Sequence, residues 1–357
     1  MSDHSRFYAC IMAGGSGERF WPMSRASVPK HLLKLFSERT LLEETVRRIG
    51  GVVPAENIFV LTNEAQLAGS RAVLAGLVPP DQIIAEPAKR DTAPAAALAT
   101  ALVRARAGEA AALALLPADA FIANEETFRS QLGHAIADAA ARDSIITFGV
   151  KPTYPSTAFG YLEVGPESGR HLGPFPIRKV TRFVEKPDLT TAEGYLADGI
   201  YLWNAGIFVW NVATFLKEAE NSAPELAAFI REFPKTDWSG YLSRRFPALH
   251  KTSVDYAIME KSSRVETLVA KFEWDDVGSW TAVATHLRAD AAGNTTHGPV
   301  LAEAAAHNIA VSNGRLIALC GVKDLVVVET ADAVLVCHRD AVQDLKKLTA
   351  RLPKELL

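Results

Sequence analysis

The sequence of 357 residues lacks the features that mark several functional classes. Its three cysteines, Cys10, Cys320 and Cys337, lie in apolar runs and not at metal-ligand spacing from one another, so we expect buried, reduced thiols. No apolar run approaches the roughly 20 residues that a membrane span needs. The polar first residues, followed by only a few apolar ones, exclude a signal-peptide core. These absences predict a cytoplasmic protein with no membrane partner.

An excess of basic residues is also missing, since the formal net charge is -3. Nucleic-acid binding usually needs a basic surface, so no nucleic-acid partner is expected. Phosphate-bearing ligands must then be held by local basic residues. The sequence suggests neither a Ser-His-Asp arrangement nor a His/Cys cluster, which argues against hydrolase and zinc chemistry.

What is present in the N-terminal part is an alternation of short apolar runs with segments of helical periodicity. The predicted strands are 8–12, 58–61, 82–85, 112–116 and 145–148, and the predicted helices are 41–49, 65–77, 93–107 and 126–140. Continuous rather than alternating apolar strands favour an α/β fold with a mostly parallel sheet covered on both faces. In such sheets ligands bind beyond the carboxyl ends of the strands.

Between about 151 and 210 the pattern loosens into short strands separated by Gly and Pro. This pattern predicts an insertion that covers one side of the site. Helices return within 212–246 and around 254–261.

The composition shifts again near 290–294, and brief apolar runs separated by turn residues follow. These runs predict a small all-β unit or a short β-solenoid, and 340–352 has the spacing of a terminal helix. A chain of this length is expected to form roughly two domains. We place them at 1–290 and 291–357.

Three glycines, Gly14, Gly15 and Gly17, follow the first predicted strand. Glycines at a strand end let the backbone approach a ligand, and its N–H groups can converge on phosphate oxygens. The Walker pattern is absent, and Phe20 stands where a dinucleotide fingerprint needs its third glycine. An ordinary tight turn is the alternative interpretation.

Charged residues near these strand ends could complete a phosphate site. Arg19 could donate two hydrogen bonds to a phosphate, and Lys30 offers a more compact charge. Asp119 and Asp276 form a candidate Mg²⁺ pair, because Mg²⁺ is normally held by one or two carboxylates together with substrate phosphates. The alternatives are two solvated surface cations, a helix cap at Asp119 and a solvated acidic turn at Asp276.

The segment from Glu86 to Pro94 joins a predicted strand to an alanine-rich helix. Glu86 could accept hydrogen bonds from the ring N–H and the exocyclic amine of guanine, which adenine could not reciprocate. Thr92 is a plausible helix N-cap, and Pro94 fits the first helical turn, so a purely structural role is the alternative.

A third group of polar residues follows the later strands. Glu185 and Lys186 would point to opposite faces of a strand, so an ion pair between them is not expected. Glu185 could instead bind a sugar hydroxyl and Lys186 a phosphate. Asn204 offers an amide beside the flexible Gly206.

Six motifs in this order resemble those of the sugar-nucleotide pyrophosphorylases, most closely the bacterial mannose-1-phosphate guanylyltransferases. They are 14–22 with 29–30, 86–94, 116–119, 183–187, 204–208 and 274–280. The resemblance covers nearly the whole chain. It implies a Rossmann-like nucleotidyltransferase domain, then a small left-handed β-helix. The implied reaction joins GTP to mannose 1-phosphate, giving GDP-mannose and pyrophosphate.

The resemblance also implies a role for each matching residue. Arg19 would neutralise the departing pyrophosphate, Lys30 would contact the phosphates at the reacting centre, and Asp119 and Asp276 would hold Mg²⁺. The implied nucleotide-binding residues are Gly14, Gly15, Ser16, Gly17, Glu86, Arg90, Thr92, Ala93 and Pro94. The implied sugar-phosphate-binding residues are Gly160, Glu185, Lys186 and Asn204. A homodimer is implied, and a second, phosphomannose isomerase activity is not.

One motif departs from the family pattern. Ala158 and Phe159 replace a glycine and a tyrosine that the family often has before Gly160. A guanylyltransferase for another hexose or heptose 1-phosphate therefore remains an alternative. Two interpretations from other classes are an NAD-dependent oxidoreductase and a non-catalytic nucleotide-sensing module.

Overall fold

A nine-stranded sheet is the largest element of the computed structural model, which describes residues 6–15 and 17–357. The strands of the N-terminal part are β1 (Phe7–Met12), β2 (Ile58–Asn63), β3 (Ile83–Glu86), β4 (Ala112–Pro117), β5 (Phe121–Ala123), β6 (Ile145–Val150), β7 (Gly160–Leu172), β8 (Phe175–Glu185), β9 (Tyr201–Asn211), β10 (Val265–Val269) and β11 (Glu273–Asp275). The order across the sheet is β3-β2-β1-β4-β9-β6-β10-β8-β7, and β5 pairs separately with β11.

The direction of the strands agrees with the predicted, mostly parallel sheet. Parallel pairing joins β1 with β2 and β4, β2 with β3, and β6 with β10. Antiparallel pairing joins β9 with β4, β6 and β7, and β8 with β10 and β7. Seven of the nine strands therefore run one way, and β8 and β9 run the other.

The helices are α1 (Leu41–Ile49), α2 (Glu64–Val73), α3 (Thr92–Ala107), α4 (Glu125–Ala141), α5 (Leu189–Asp198), α6 (Val212–Ser222), α7 (Pro224–Glu232), α8 (Ser239–Arg245), α9 (Trp280–Thr285) and α10 (Leu345–Thr349). Local sequence explains where they begin. Thr40 and Glu43, for example, form a capping box at the start of α1.

Both faces of the sheet are buried, as predicted. Alternate residues of β1 belong to different cores: Tyr8 and Cys10 pack with residues of α3, whereas Ala9 and Ile11 pack with residues of α4. This alternation is what a strand covered on both sides requires. The carboxyl ends of β1 and β4 are thereby left as the open edge where a ligand can approach.

The predicted insertion between 151 and 210 is incorporated into the main sheet. Strands β7, β8 and β9 extend that sheet, with β9 lying between β4 and β6. Strand β9 is buried or half-buried along its whole length, whereas β8 mixes buried residues such as Ile177 and Phe183 with exposed ones such as Arg182. These strands still line one side of the site, but they are part of its framework.

The C-terminal part forms the predicted β-helix-like unit. Its strands are β12 (Thr295–His297), β13 (Val300–Glu303), β14 (Ile309–Ser312), β15 (Ile317–Cys320), β16 (Leu325–Glu329) and β17 (Val334–His338). Parallel pairing stacks β12 on β14 on β16, and β13 on β15, while β17 closes the stack antiparallel to β16. The stacked asparagines Asn294 and Asn308 reinforce it with a side-chain hydrogen bond of 3.0 Å. The boundary between 290 and 291 stays a prediction.

One hydrophobic core joins this unit to the glycine loop. Phe20, Trp21 and Trp280 pack in the same cluster as Val328 and Leu345. The Trp21 indole Nε1 donates a hydrogen bond of 2.9 Å to the backbone oxygen of Leu356. The C-terminal helix is therefore held against the segment that follows the glycines.

Some smaller predictions differ from the structure. The terminal helix is shorter than 340–352, because a 3₁₀ segment, Arg339–Asp344, precedes α10. The predicted helix at 254–261 is a π-helical turn, Asp255–Met259. Cys10 is buried as predicted, but Cys320 is exposed on β15 and Cys337 is half-buried. No helix among the described residues has the length and apolar character needed to cross a membrane.

Candidate active site

The glycine loop lies at the carboxyl end of β1, as predicted. Gln66 Nε2 donates to the Gly15 backbone oxygen at 3.3 Å. Gly17 has φ +65°, and a Cβ there would lie 2.6 Å from the Lys30 backbone nitrogen. Glycine at this position is therefore what lets the loop approach Lys30 so closely. Ser16, the remaining predicted loop residue, lies outside the described residues.

Lys30 contacts both Asp119 and Asp276, the two residues predicted as a Mg²⁺ pair. Its side chain is buried, its Nζ lies 3.0 Å from Asp119 Oδ2, and it also donates to the backbone oxygen of Asp276. Burial raises the pKa of Asp276 to about 6, against the opposing effect of the Lys30 charge. Asp119 follows β4 and Asp276 follows β11, so strand ends distant in sequence converge here.

Asp275 has different hydrogen-bond partners from its neighbour Asp276. It accepts a 2.7 Å hydrogen bond from the Val277 backbone N–H and lies 2.9 Å from His286 Nε2. Burial alone would raise its pKa, but these hydrogen bonds hold the pKa of Asp275 below its ordinary value. Asp276 is therefore the carboxylate of this pair that is left to face the cleft.

An open cleft of about 430 Å³ extends outward from Asp119 and Asp276. Among the described side chains, the cations that line it are Arg19, Lys30, Lys89 and Lys346. Within the described part of the chain, Arg19, Lys89 and Lys346 form no ion pair. Lys89 and Lys346 were not predicted from the sequence. A cleft with this lining suits a polyphosphate.

Asp119 and Asp276 also suit a divalent cation. Among residues 6–15 and 17–357, no group of three or more His, Cys, Asp or Glu residues could hold a metal. A hard cation held by two carboxylates and completed by substrate phosphates needs no larger protein cluster. The donor set therefore fits a metal that arrives with a phosphate ligand.

Glu86 sits at the end of β3 beside the glycine loop. A Cβ added to Gly14 would lie 3.3 Å from Glu86 Oε2, and the buried Oε1 has no partner among the described residues. Burial raises the pKa of Glu86 to about 8. An unpartnered buried acceptor is costly unless a ligand supplies the donors. Recognition of guanine by Glu86 stays a prediction.

The rest of the 86–94 segment is tied to neighbouring structure. Arg90 Nε donates to the Pro247 oxygen at 2.9 Å, and Thr92 Oγ1 accepts from the Val254 N–H at 2.9 Å. The predicted N-cap at Thr92 is wrong by one residue, because the cap is Asp91, whose side chain accepts from the Thr92 N–H. Ala93 and Pro94 are buried in the first turn of α3, as predicted for Pro94. Nucleotide binding by this group stays a prediction.

A second, inner pocket of about 250 Å³ shares Asp119 and Asp276 with the cleft. It brings together all the residues predicted for the sugar phosphate, namely Gly160, Glu185, Lys186 and Asn204. A Cβ at Gly160 would collide with Glu185 Oε2, so this glycine makes room for the carboxylate.

The expectation that Glu185 and Lys186 do not pair is wrong. Lys186 Nζ lies 3.1 Å from Glu185 Oε1. Strand β8 ends at Glu185, and Lys186 has φ +46°, so the alternation of strand faces does not reach Lys186. The turn at Lys186 therefore directs its side chain toward Glu185.

Asp255 is a pocket residue that sequence reasoning missed. Asn204 Nδ2 donates to Asp255 Oδ1 at 3.3 Å, while Asn204 Oδ1 accepts from Thr147 Oγ1 at 2.9 Å. Burial, with a further contribution from the Glu185 charge, raises the pKa of Asp255 to about 7. An isolated acid in the apolar stretch 254–259 was the signal that could have revealed it.

Aromatic rings form one wall of this inner pocket. The Phe159 ring centroid lies 5.0 Å from that of Trp203 and 5.4 Å from that of Trp274. The indole Nε1 atoms of Trp203 and Trp274 are buried, with no partner in the described part of the chain. The unusual Phe159 is thus a packed wall residue, and Ala158 lines the same pocket.

Comparison with known proteins agrees with this geometry. A model of the family "Nucleotidyl transferase" matches residues 8–292, and a model of the "MannoseP isomerase/GMP-like beta-helix domain" matches residues 300–352. The chain belongs to the nucleotidyl transferase family. This membership confirms the predicted enzyme class and fold class. It argues against the alternatives of an oxidoreductase and of a non-catalytic nucleotide-sensing module.

Relatives within the nucleotidyl transferase family carry related names. Xanthan biosynthesis protein XanB of Xanthomonas campestris pv. campestris is 37% identical over 347 residues, which is 96% of this chain and 72% of that protein. The mannose-1-phosphate guanylyltransferase of Escherichia coli (strain K12) is 37% identical over 357 residues, covering 98% and 74% of the two chains. The resemblance seen in the motifs is thereby confirmed.

A solved structure extends the likeness to the whole architecture. The crystal structure of mannose-1-phosphate geranyltransferase from Thermus thermophilus matches with a TM-score of 0.87 at 32% identity. The match covers 97% of this chain and 99% of that one. The two-part arrangement of a nucleotidyl transferase fold and a β-helix-like unit is therefore shared.

Proposed function

We propose that this nucleotidyltransferase is a mannose-1-phosphate guanylyltransferase, converting GTP and mannose 1-phosphate to GDP-mannose and pyrophosphate. The observation that carries the proposal is the buried Lys30, which contacts Asp119 and Asp276 where a cation-lined cleft meets a pocket lined by polar and aromatic side chains. A reaction between a triphosphate and a sugar phosphate needs such a junction. Relatives named for this activity support the choice of substrates.

The proposed chemistry is an in-line displacement at the α-phosphorus of GTP. A phosphate oxygen of mannose 1-phosphate forms the new O–P bond, the bond from the α-phosphorus to the bridging oxygen breaks, and pyrophosphate leaves with that electron pair. The nucleophile is already an anion at neutral pH, so no general base is required. Positioning and charge stabilisation supply the catalysis. Lys30 would neutralise charge at the reacting phosphates, and Arg19 would do so at the departing pyrophosphate.

Asp119 and Asp276 would hold Mg²⁺, the predicted cofactor. The bound ion would offset negative charge on the phosphates during the displacement. The buried position of Asp276 supports this assignment, since a bound cation would favour the ionised form of a carboxyl whose pKa is raised to about 6.

Guanine recognition is assigned to Glu86. Its unpartnered oxygen would accept the donors on the guanine edge, and the Gly14, Gly15, Ser16 and Gly17 backbone would cradle the triphosphate. Arg90, Thr92, Ala93 and Pro94 would shape the base pocket, because hydrogen bonds that join the first three of them to 247–254 fix the start of α3.

Sugar-phosphate recognition is assigned to Gly160, Glu185, Lys186 and Asn204. Glu185 and Asn204 would bind sugar hydroxyls, and Lys186 would contact the sugar phosphate. Because Phe159 packs on the wall of this pocket, a guanylyltransferase for another hexose or heptose 1-phosphate is the second candidate.

We further propose a cytoplasmic homodimer with domains at 1–290 and 291–357. Leu301, Leu316, Val334 and Val336 expose more than half of their surface on or beside the C-terminal strands. Exposed apolar side chains such as these suit contact with a second copy of the chain. Cytoplasmic location follows from the proposed substrates.

The deciding experiment is a pyrophosphate-release assay that crosses GTP, ATP, UTP and dTTP with several sugar 1-phosphates. We expect the greatest kcat/KM with GTP and mannose 1-phosphate. Absence of product from that pair would refute the main proposal. Faster turnover of another sugar with GTP would favour the second candidate.

A further inference from the structure

Lys346 lies on the C-terminal helix α10, far in sequence from the glycine loop, yet it lines the outer cleft. Its neighbour Leu345 is buried in the core that contains Phe20 and Trp21. The Trp21 hydrogen bond to Leu356 adds a second attachment. These contacts fix the position of α10 beside the turn Glu18–Phe20 that follows the glycines.

The charge of Lys346 is available to a ligand. Its side chain is exposed, and within the described part of the chain it forms no ion pair. The next residue, Lys347, differs, since its Nζ lies 2.7 Å from Asp344 Oδ1 and it does not line the cleft. Two adjacent lysines of one helix therefore have different surroundings.

The two cavities show which end of a bound nucleotide would meet Lys346. Asp119 and Asp276 line both the cleft and the inner pocket, so the reacting phosphate belongs between them. Lys346 lines the cleft and not the inner pocket. It thus lies on the side of the carboxylates away from the sugar, where a triphosphate extends its terminal phosphates.

We infer that Lys346 is a binding residue for the β- and γ-phosphates of the nucleoside triphosphate and for pyrophosphate, supplied to the active site by the C-terminal unit. This inference rests on the proposed function, because it assumes a triphosphate in the cleft. GDP-mannose lacks a γ-phosphate and ends its diphosphate at the sugar, so its binding would not use Lys346. The C-terminal unit would then contribute directly to triphosphate binding.

The test compares Lys346→Met with Lys347→Met in the full chain, using pyrophosphorolysis of GDP-mannose. Hydrogen bonds to charged groups are among the stronger ones, so we expect KM for pyrophosphate to rise about tenfold in Lys346→Met. KM for GDP-mannose should not change in either variant, and Lys347→Met should match the wild type. Lys346→Arg should recover most of the pyrophosphate affinity. Both lysines are exposed, so equal Tm values are expected.

Direct titration of pyrophosphate into the same variants separates this inference from the proposed function. Failure of the wild type to form GDP-mannose would refute the function, while a weaker pyrophosphate Kd confined to Lys346→Met would still support the binding role. Equal Kd values for Lys346→Met and Lys347→Met would overturn the inference. An equal loss of GDP-mannose affinity in Lys346→Met would overturn it too.

Discussion

The outer cleft and the inner pocket share Asp119 and Asp276 but differ in the side chains that line them. The cleft, about 430 Å³, is lined by cations of which Arg19, Lys89 and Lys346 are exposed and unpaired within the described residues. The pocket, about 250 Å³, surrounds Asn204 with a hydrogen-bonded network and aromatic walls. Exposed charges tolerate changes of position, whereas a buried network does not. Discrimination between sugars should therefore reside mainly in the pocket, and charge neutralisation in the cleft.

The largest effect is expected where the two cavities meet. Lys30→Met should lower kcat by about 10²- to 10³-fold, the usual consequence of removing one charge-stabilising donor. The control is Lys34→Met, a nearby exposed lysine that does not line the cleft. Steady-state pyrophosphate release with both substrates saturating measures the effect. Turnover close to the wild type in Lys30→Met would remove this residue from the mechanism.

A substitution confined to the inner pocket should change KM for one substrate and not for the other. Gly160→Ala places a methyl group against Glu185 Oε2, so the carboxylate must move. We expect KM for mannose 1-phosphate to rise about tenfold, as for loss of a hydrogen bond to a charged group, with KM for GTP unchanged. Gly194→Ala is the control, because that helical glycine has open space around it. A parallel rise of both KM values would contradict the division between the cavities.

The proposed role of Glu86 in binding the base can be tested by pH. Guanine donors require the Glu86 carboxylate, and its pKa is raised to about 8. Below that pH, binding must release a proton, so affinity should rise by up to about tenfold per pH unit and level off above pH 8. The Kd of GDP-mannose between pH 6 and pH 9, without added metal, measures this.

Glu86→Gln supplies the control for that profile. It removes the titrating group, so the slope due to Glu86 should disappear while any slope from Asp255 or Asp276 remains. Identical profiles for the two proteins would exclude Glu86 from base recognition.

The smallest effects should distinguish two glycines of the phosphate loop. Gly17→Ala puts a side chain at φ +65° and close to the Lys30 backbone, so the free energy of unfolding should fall by about 1 to 3 kcal/mol. Gly15→Ala meets nothing within 4 Å and should keep the wild-type Tm while weakening GTP binding. Thermal unfolding and GTP titration report the two outcomes. A lower Tm in Gly15→Ala would indicate a structural role instead.

Much of the fold and part of the site could be predicted because they depend on strand ends. Apolar runs marked β1 and β4, and Gly17 and Asp119 follow them directly, so the parallel sheet brings them together. Asp276 was predicted from its motif in the same way. These residues are close to the elements that position them.

The remaining features depend on packing or on single backbone angles. In the sequence, Lys346 resembles any exposed helical lysine. It lines the cleft because Trp21 and Leu345 hold its helix against the glycine loop. The ion pair of Lys186 depends on the positive φ angle of that residue. A lysine in the sequence gives no indication that its φ is positive. Asp255 is significant only because Asn204, from a strand distant in sequence, reaches its carboxylate.

The core that joins Trp280 to Val328 also limits how this protein can be divided. Trp280 is fully buried there, and Val328 belongs to a β-helix strand. A chain cut before the C-terminal strands would expose that indole and the Phe20 ring to water, and the shortened enzyme should aggregate. A chimaera with a foreign β-helix would need the facing side chains of both parents exchanged together.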